Sequence, residues 1–225
     1  MATYASDTGG GKDFDPVPEG SHLAICDMFV DLGLQDGHFG AKHKIYLRWQ
    51  IPALRLSYEK DGEKVEGPMS IGATYTLSLS EKSNLRPILQ AWRGKAFTAD
   101  ELKKFDVTTV LGKPCMVTVT HEPKKDGGVY ANVAAVAKLP TGIPAPTLEG
   151  EALLYDADNM GTFEQLRPWL QDKIKAQVLP KTEVQSLQDA YDRQPAMAGG
   201  SGFDNDLDDD VPFLSANPAL EHRIG

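Results

Sequence analysis

Residues 42–51 alternate so as to separate two chemistries. Lys42, Lys44, Tyr46, Arg48 and Gln50 fall on one phase, and His43, Ile45, Leu47, Trp49 and Ile51 on the other. A period of two is that of a half-buried β-strand, so the first set faces outward and presents cations and an aromatic ring on one surface. Cations track phosphates and aromatic faces stack on bases, which is what a surface needs to hold a single nucleic-acid strand without reading its sequence. Tyr130, Asn132 and Lys138 share one phase of a later β-rich segment and extend this platform. Arg86, Arg93 and Lys95 around a helical stretch, and Lys124 and Lys125 in a Gly-ended loop, are candidate groove walls. Trp49, Tyr75 and Trp92 fall on apolar phases and are assigned to the core.

Signals for catalysis are weak by comparison. His22, His38, His43, His121 and His222 are scattered, with no HExxH and no paired acidic ligands at helical spacing. The run Gly9-Gly10-Gly11-Lys12 lacks both the leading Gly and the following Ser or Thr of a phosphate loop. His121-Glu122 beside Asp126 reads as a strand end next to a polar turn rather than a metal site. Cys26 and Cys115 each sit in an apolar run and are read as reduced core residues. The expectation is a binding protein with no enzyme activity, cofactor or metal. A metal-dependent nuclease would need three or more convergent carboxylates or histidines, which the sequence does not display.

Charge is distributed unevenly. The formal net charge of the 225 residues is −9, but residues 20–140 carry +3, residues 1–19 carry −3 and residues 141–225 carry −9. A basic middle with an acidic end is the asymmetry of a nucleic-acid-facing domain followed by an acidic tail. No run approaches the roughly 18 apolar residues of a membrane span. The N-terminal sequence lacks the basic start and apolar stretch of a signal peptide, so a cytoplasmic location is expected.

The elements that must position these residues follow from periodicity. His22 to Val30 is apolar on both phases, as expected of a long strand shared between two packed layers. Residues 42–51 are the second strand, and Asp61-Gly62 is the tip of a polar hairpin arm leading into a third, MSIGATYTLSL. The period then becomes helical at Leu85, Ile88, Leu89 and Trp92, with Ser83 as a cap and Pro87 in the first turn. Thr98 to Glu101 is a capping box, with Phe97 and Leu102 as its staple. Cys115 to Thr120 and Val129 to Lys138 complete a strand, strand, strand, helix, strand, strand order. In about 120 residues this order fits a mainly β fold, a five-stranded Greek-key OB-fold barrel with a helical insertion between strands 3 and 4. An open α+β sheet is the alternative.

Beyond the barrel, assigned to residues 18–140 after a flexible arm at 1–17, the proline-rich PTGIPAPTLEG is a linker or an extended strap. Residues 141–193 add a short edge strand at EALLYD and two amphipathic helices. Their apolar stripes are Phe163, Leu166, Leu170 and Ile174, then Val184, Leu187 and Tyr191. These helices are too short for a core of their own and must dock on the barrel or on a second subunit. Residues 194–225 have the composition of a disordered tail, with five aspartates between Asp204 and Asp210.

Asp208-Asp209-Asp210-Val211-Pro212-Phe213 resembles the acidic tip of bacterial and phage single-stranded DNA-binding proteins. That resemblance implies docking of Phe213 and its aspartates on replication or recombination partners, and competition with DNA for the barrel. The family's tip ends its chain, whereas LSANPALEHRIG follows Phe213 here. Lys82-Ser83-Asn84-Leu85-Arg86, Trp92 to Thr98, Leu111 to Cys115 and Tyr130 to Val133 are similar to segments of phage and prophage single-stranded DNA-binding proteins with an OB fold, a likeness extending over residues 18–175. It implies a protein that coats single strands during phage replication or recombination in a bacterial host. The alternative is a recombination mediator or replisome adaptor that binds DNA weakly.

Overall fold

The computed structural model describes residues 15–38, 40–60, 63–124 and 128–178. Expectations about the arm before residue 15, Asp61-Gly62, Lys125, the stripe Val184, Leu187 and Tyr191, and the acidic segment through Phe213 lie outside the described residues. The elements run β1 (Gly20–Gln35), β2 (Lys42–Lys60), β3 (Glu63–Thr76), α1 (Leu85–Arg93), α2 (Ala99–Lys103), β4 (Pro114–Pro123), β5 (Val129–Ala137), β6 (Leu153–Tyr155) and α3 (Pro168–Lys175). Short 3-10 turns lie at Val107–Val110 and Met160–Gln165. The protein is mainly β. Its antiparallel sheet has the order β3-β2-β1-β4-β5 and curls so that the edge strands β3 and β5 approach each other without pairing among the described residues.

β1 is the spine of this sheet. Its first half pairs with β4, from Gly20↔Val119 to Ile25↔Pro114, and its second half pairs with β2, from Ile25↔Gln50 to Gln35↔Lys42. Where β4 leaves, β6 takes its place as a parallel neighbour, Met28↔Leu153 to Val30↔Tyr155. The expected edge strand at EALLYD therefore lies against the middle of the sheet's spine. A register shift between Cys26 and Met28 switches the strand's phase. Before and across it, Ala24, Cys26 and Phe29 enter the core inside the curled sheet, while Met28, Val30 and Leu32 enter a second cluster on the other face. This is why HLAICDMFV is apolar on both phases.

The inner core gathers Ile45, Leu47, Trp49 and Ile51 of β2, Ile71 and Tyr75 of β3, and Leu85, Leu89 and Trp92 of α1. The Ser83 hydroxyl accepts from the Leu85 N–H at the start of α1. The capping box at Thr98 is closed in both directions, and Phe97 packs edge-on against Phe105 at 5.0 Å. Val17 is buried at 4% and its carbonyl accepts from the His121 ring at 2.7 Å, so the segment just before β1 seals the sheet. His121 is thus a structural tie, and among the described residues no His, Cys, Asp and Glu cluster could hold a metal ion. Both cysteines are buried and unbridged. No helix among the described residues is long and apolar enough to cross a membrane.

The second cluster answers where the C-terminal stripe docks. Leu166, Leu170 and Ile174 pack with Tyr155 on Met28, Val30 and Leu32 of β1, with Phe163 at the edge. The expected single helix is broken between Phe163 and Leu170. Arg167 is extended, at φ −62° and ψ 145°, because Pro168 disfavours a helical residue before it while fitting the first turn of α3.

Candidate nucleic-acid interface

The outer face of β2 carries Lys44, Tyr46 and Arg48 as their phase requires. They pair with Thr76, Thr74 and Gly72 of β3 on one side and with Gly33, Val30 and Met28 of β1 on the other. Tyr46 leans diagonally over Gly72, where a Cβ would lie 2.0 Å from its Oη. One side of the ring is thus closed by backbone, and burial pushes the phenol pKa upward. Gly72→Ala should displace Tyr46 and destabilise the protein by about 1–3 kcal/mol, the range for overpacking. Urea titration checks this; an unchanged midpoint would mean that the ring is not held there.

Arg48 is not the open phosphate contact that alternation suggests. Its Nε and Nη2 donate to the Asp27 carboxylate at 3.1 and 2.8 Å, with Asp27 only 6% exposed in its side chain and Arg48 21%. The irregularity in β1 at Asp27 brings this acid beneath β2. Burial raises the Asp27 carboxyl above its ordinary value, against the hydrogen bonds and charge of Arg48. Arg48 is therefore first a counter-charge and only secondarily a surface cation.

The segment after β5 is a strap over this face. The Gln50 side chain pairs reciprocally with the backbone of Glu149, at 3.0 and 2.8 Å, as a neighbouring strand would. Arg55 binds the Glu149 carboxylate at 2.5 Å and Glu66 at 3.2 Å. Farther along, α3 sets Trp169 edge-to-face on Tyr46, ring centroids 5.1 Å apart, and Lys173 places its ammonium 5.5 Å from the Trp169 ring.

Two depressions flank the Tyr46–Trp169 pair. One, of about 710 Å³, is lined by Lys42, Lys44, Thr74, Thr76, Lys82 and Lys173, among others. The second, of about 640 Å³, includes Asp27, Arg48, Gln50, Gly72, Glu149 and Arg167. Lys44, Lys82 and Lys173 have no carboxylate within ion-pair distance among the described residues, whereas Arg167 is near enough to Asp27 for its charge to act on that carboxyl. Unneutralised cations around a polar groove leave a field that attracts anions.

The other expected contacts lie elsewhere. Arg93 is paired with Glu101 and lies 4.4 Å from the Phe97 ring and 4.8 Å from Phe105. Lys95 approaches the same carboxylate at 3.8 Å, and Arg86 donates to the Leu79 carbonyl. The charge of Arg93 is spent within the fold, whereas Arg86 bonds only a neutral carbonyl and the Lys95 side chain is 66% exposed. Lys138 does not share a face with Tyr130 and Asn132. A register shift at Thr118/Val119 inserts an extra residue into β5, so Ala131 and Val133 before it and Val136 after it all face the core. Lys138 instead packs beside Gly94, its N–H bonded to the Ala91 carbonyl at the end of α1. Lys124 covers the 58%-exposed Tyr130 at 4.9 Å, at the β4–β5 hairpin. The structure thus assembles Lys42, Lys44, Tyr46 and Arg48 on one surface, and leaves the other described candidates in two other places.

Sequence reasoning passed over Lys82, Arg167, Trp169 and Lys173. A signal for the last two was present: Trp169 stands off the buried stripe of Leu166, Leu170 and Ile174, one turn before Lys173. No protein-family model matches the chain, and no curated protein matches its sequence. The function must be argued from this surface.

Proposed function

We propose that the chain is a single-stranded DNA-binding protein built on a five-stranded Greek-key OB barrel, which coats strands during phage replication or recombination. The sheet order β3-β2-β1-β4-β5, with α1 and α2 between the third and fourth strands, supports the barrel assignment. The observation that carries the binding assignment is the groove lined by Lys44, Lys82 and Lys173, none of them ion-paired among the described residues, beside the Tyr46–Trp169 ring pair. In such barrels this face takes oligonucleotides. The acidic segment Asp208–Phe213 acts as the recruiting arm for partner proteins, a role supported by its resemblance to the family's tip.

Binding through three to five phosphate contacts should fall with salt at a slope of about −0.7 per contact for a single strand. Raising salt from about 50 to about 200 mM should then weaken oligo-dT binding about 20- to 130-fold. Fluorescence anisotropy of a labelled 20-mer measures it. Duplex of the same length should bind much more weakly, since its bases cannot splay onto aromatic rings. Equal affinity for duplex and single strand at matched salt would rule the assignment out.

A further inference from the structure

The outward residues of the C-terminal strap have a different character from its buried ones. α3 buries Leu170 and Ile174, sets Trp169 on Tyr46 of β2 and turns Lys173 into the adjoining groove. Among the three tryptophans of the chain, Trp49 and Trp92 are 0% and 5% exposed, whereas Trp169 is 40% exposed. Trp169 thus packs one side on Tyr46 and leaves the rest of a large aromatic ring open to solvent, with the Lys173 ammonium beside it.

Building on the proposed DNA-binding function, we infer that α3 supplies the principal base-stacking platform, with Trp169 as the stacking ring and Tyr46 as its buttress. Tyr46 is closed on one side by Gly72 and met by Trp169 on another, so its role is to fix the orientation of the indole. A ring held by an edge-to-face neighbour loses little further freedom when a base stacks on it. Lys173, 5.5 Å from that ring, reaches the phosphate flanking the stacked base, and Arg167 continues the path toward the second depression. The strand therefore runs across the seam between β2 and the strap, and the strap is half of the binding site.

The test uses the full-length chain, a labelled oligo-dT 20-mer followed by anisotropy, and intrinsic tryptophan fluorescence. Oligo binding to the wild type should quench fluorescence, because Trp169 is the tryptophan within reach of a ligand. Trp169→Phe should abolish that quenching and weaken binding less than alanine does, since a smaller ring remains against Tyr46. Trp169→Ala should weaken binding about 5- to 150-fold, the range for one lost stacking contact. Lys173→Ala should lower the salt slope by about 0.7. If Trp169→Ala lowers thermal stability enough to blur its affinity, the Phe variant still decides through its lost quench. Quenching retained in Trp169→Phe, or wild-type affinity in folded Trp169→Ala, would overturn the inference and leave the DNA-binding function standing. A wild type that binds no oligo would overturn both.

Discussion

Arg48→Ala should destabilise the protein by about 3–5 kcal/mol, far more than removal of a surface cation, because it strands the Asp27 carboxylate in the fold. Asp27 is 6% exposed in its side chain, and the Arg48 guanidinium is its bidentate partner. Removing Asp27 at the same time should recover much of the loss, because the desolvated charge goes with it. The deficit should also depend on pH. Without Arg48 the already raised Asp27 carboxyl rises further, so the folded state holds its proton more tightly than the unfolded chain. The penalty is then absent below the ordinary carboxylate pKa and grows as pH climbs from there through the raised folded value. Urea unfolding of Arg48→Ala, Asp27→Ala and the double variant at two pH values measures this as a cycle. A single variant within 1 kcal/mol of wild type at neutral pH would show that the pair acts as an exposed one.

Trp49→Ala should destabilise the fold by a similar amount, about 3–5 kcal/mol, for an unrelated reason. Trp49 is 0% exposed and sits 5.9 Å from Trp92 and 6.4 Å from Tyr75, so truncation empties the centre of the inner core. Its indole N–H is buried with no acceptor among the described residues. Trp49→Phe removes that unpartnered donor along with some volume, so the two effects offset and the loss should be well under that of alanine. Thermal and urea melts of both variants distinguish the cases. A folded Trp49→Ala of normal stability that fails to bind DNA would mean that the two faces of β2 had been assigned in reverse.

These two residues are one apart on β2, and they show where sequence reading succeeds and where it stops. The phase of each was legible: Trp49 inside, Arg48 outside. Burial of Trp49 follows from phase alone, since its neighbours on that phase, Ile45, Leu47 and Ile51, are all apolar. The partner of Arg48 does not, because Asp27 sits within an apolar run of another strand and reaches β2 only through an irregular register. The same limit explains Lys138. Counting in twos from Tyr130 places it on the outer face, and one extra residue in β5 moves it to the other.

What the sequence by itself determined was local. Alternation defined the strands and their inner faces, the change to helical period marked α1, the Thr98 box started α2, and composition separated a basic middle from an acidic end. These features depend on neighbours within a few residues, so a pattern along the chain reports them. Only the tertiary structure decided that the strap folds back on β1 and β2, that Trp169 meets Tyr46, and that Lys82 and Lys173 line one groove. Those contacts join residues roughly 90 to 140 positions apart. They are selected by which apolar faces remain uncovered once the sheet has curled, a question that no local period encodes.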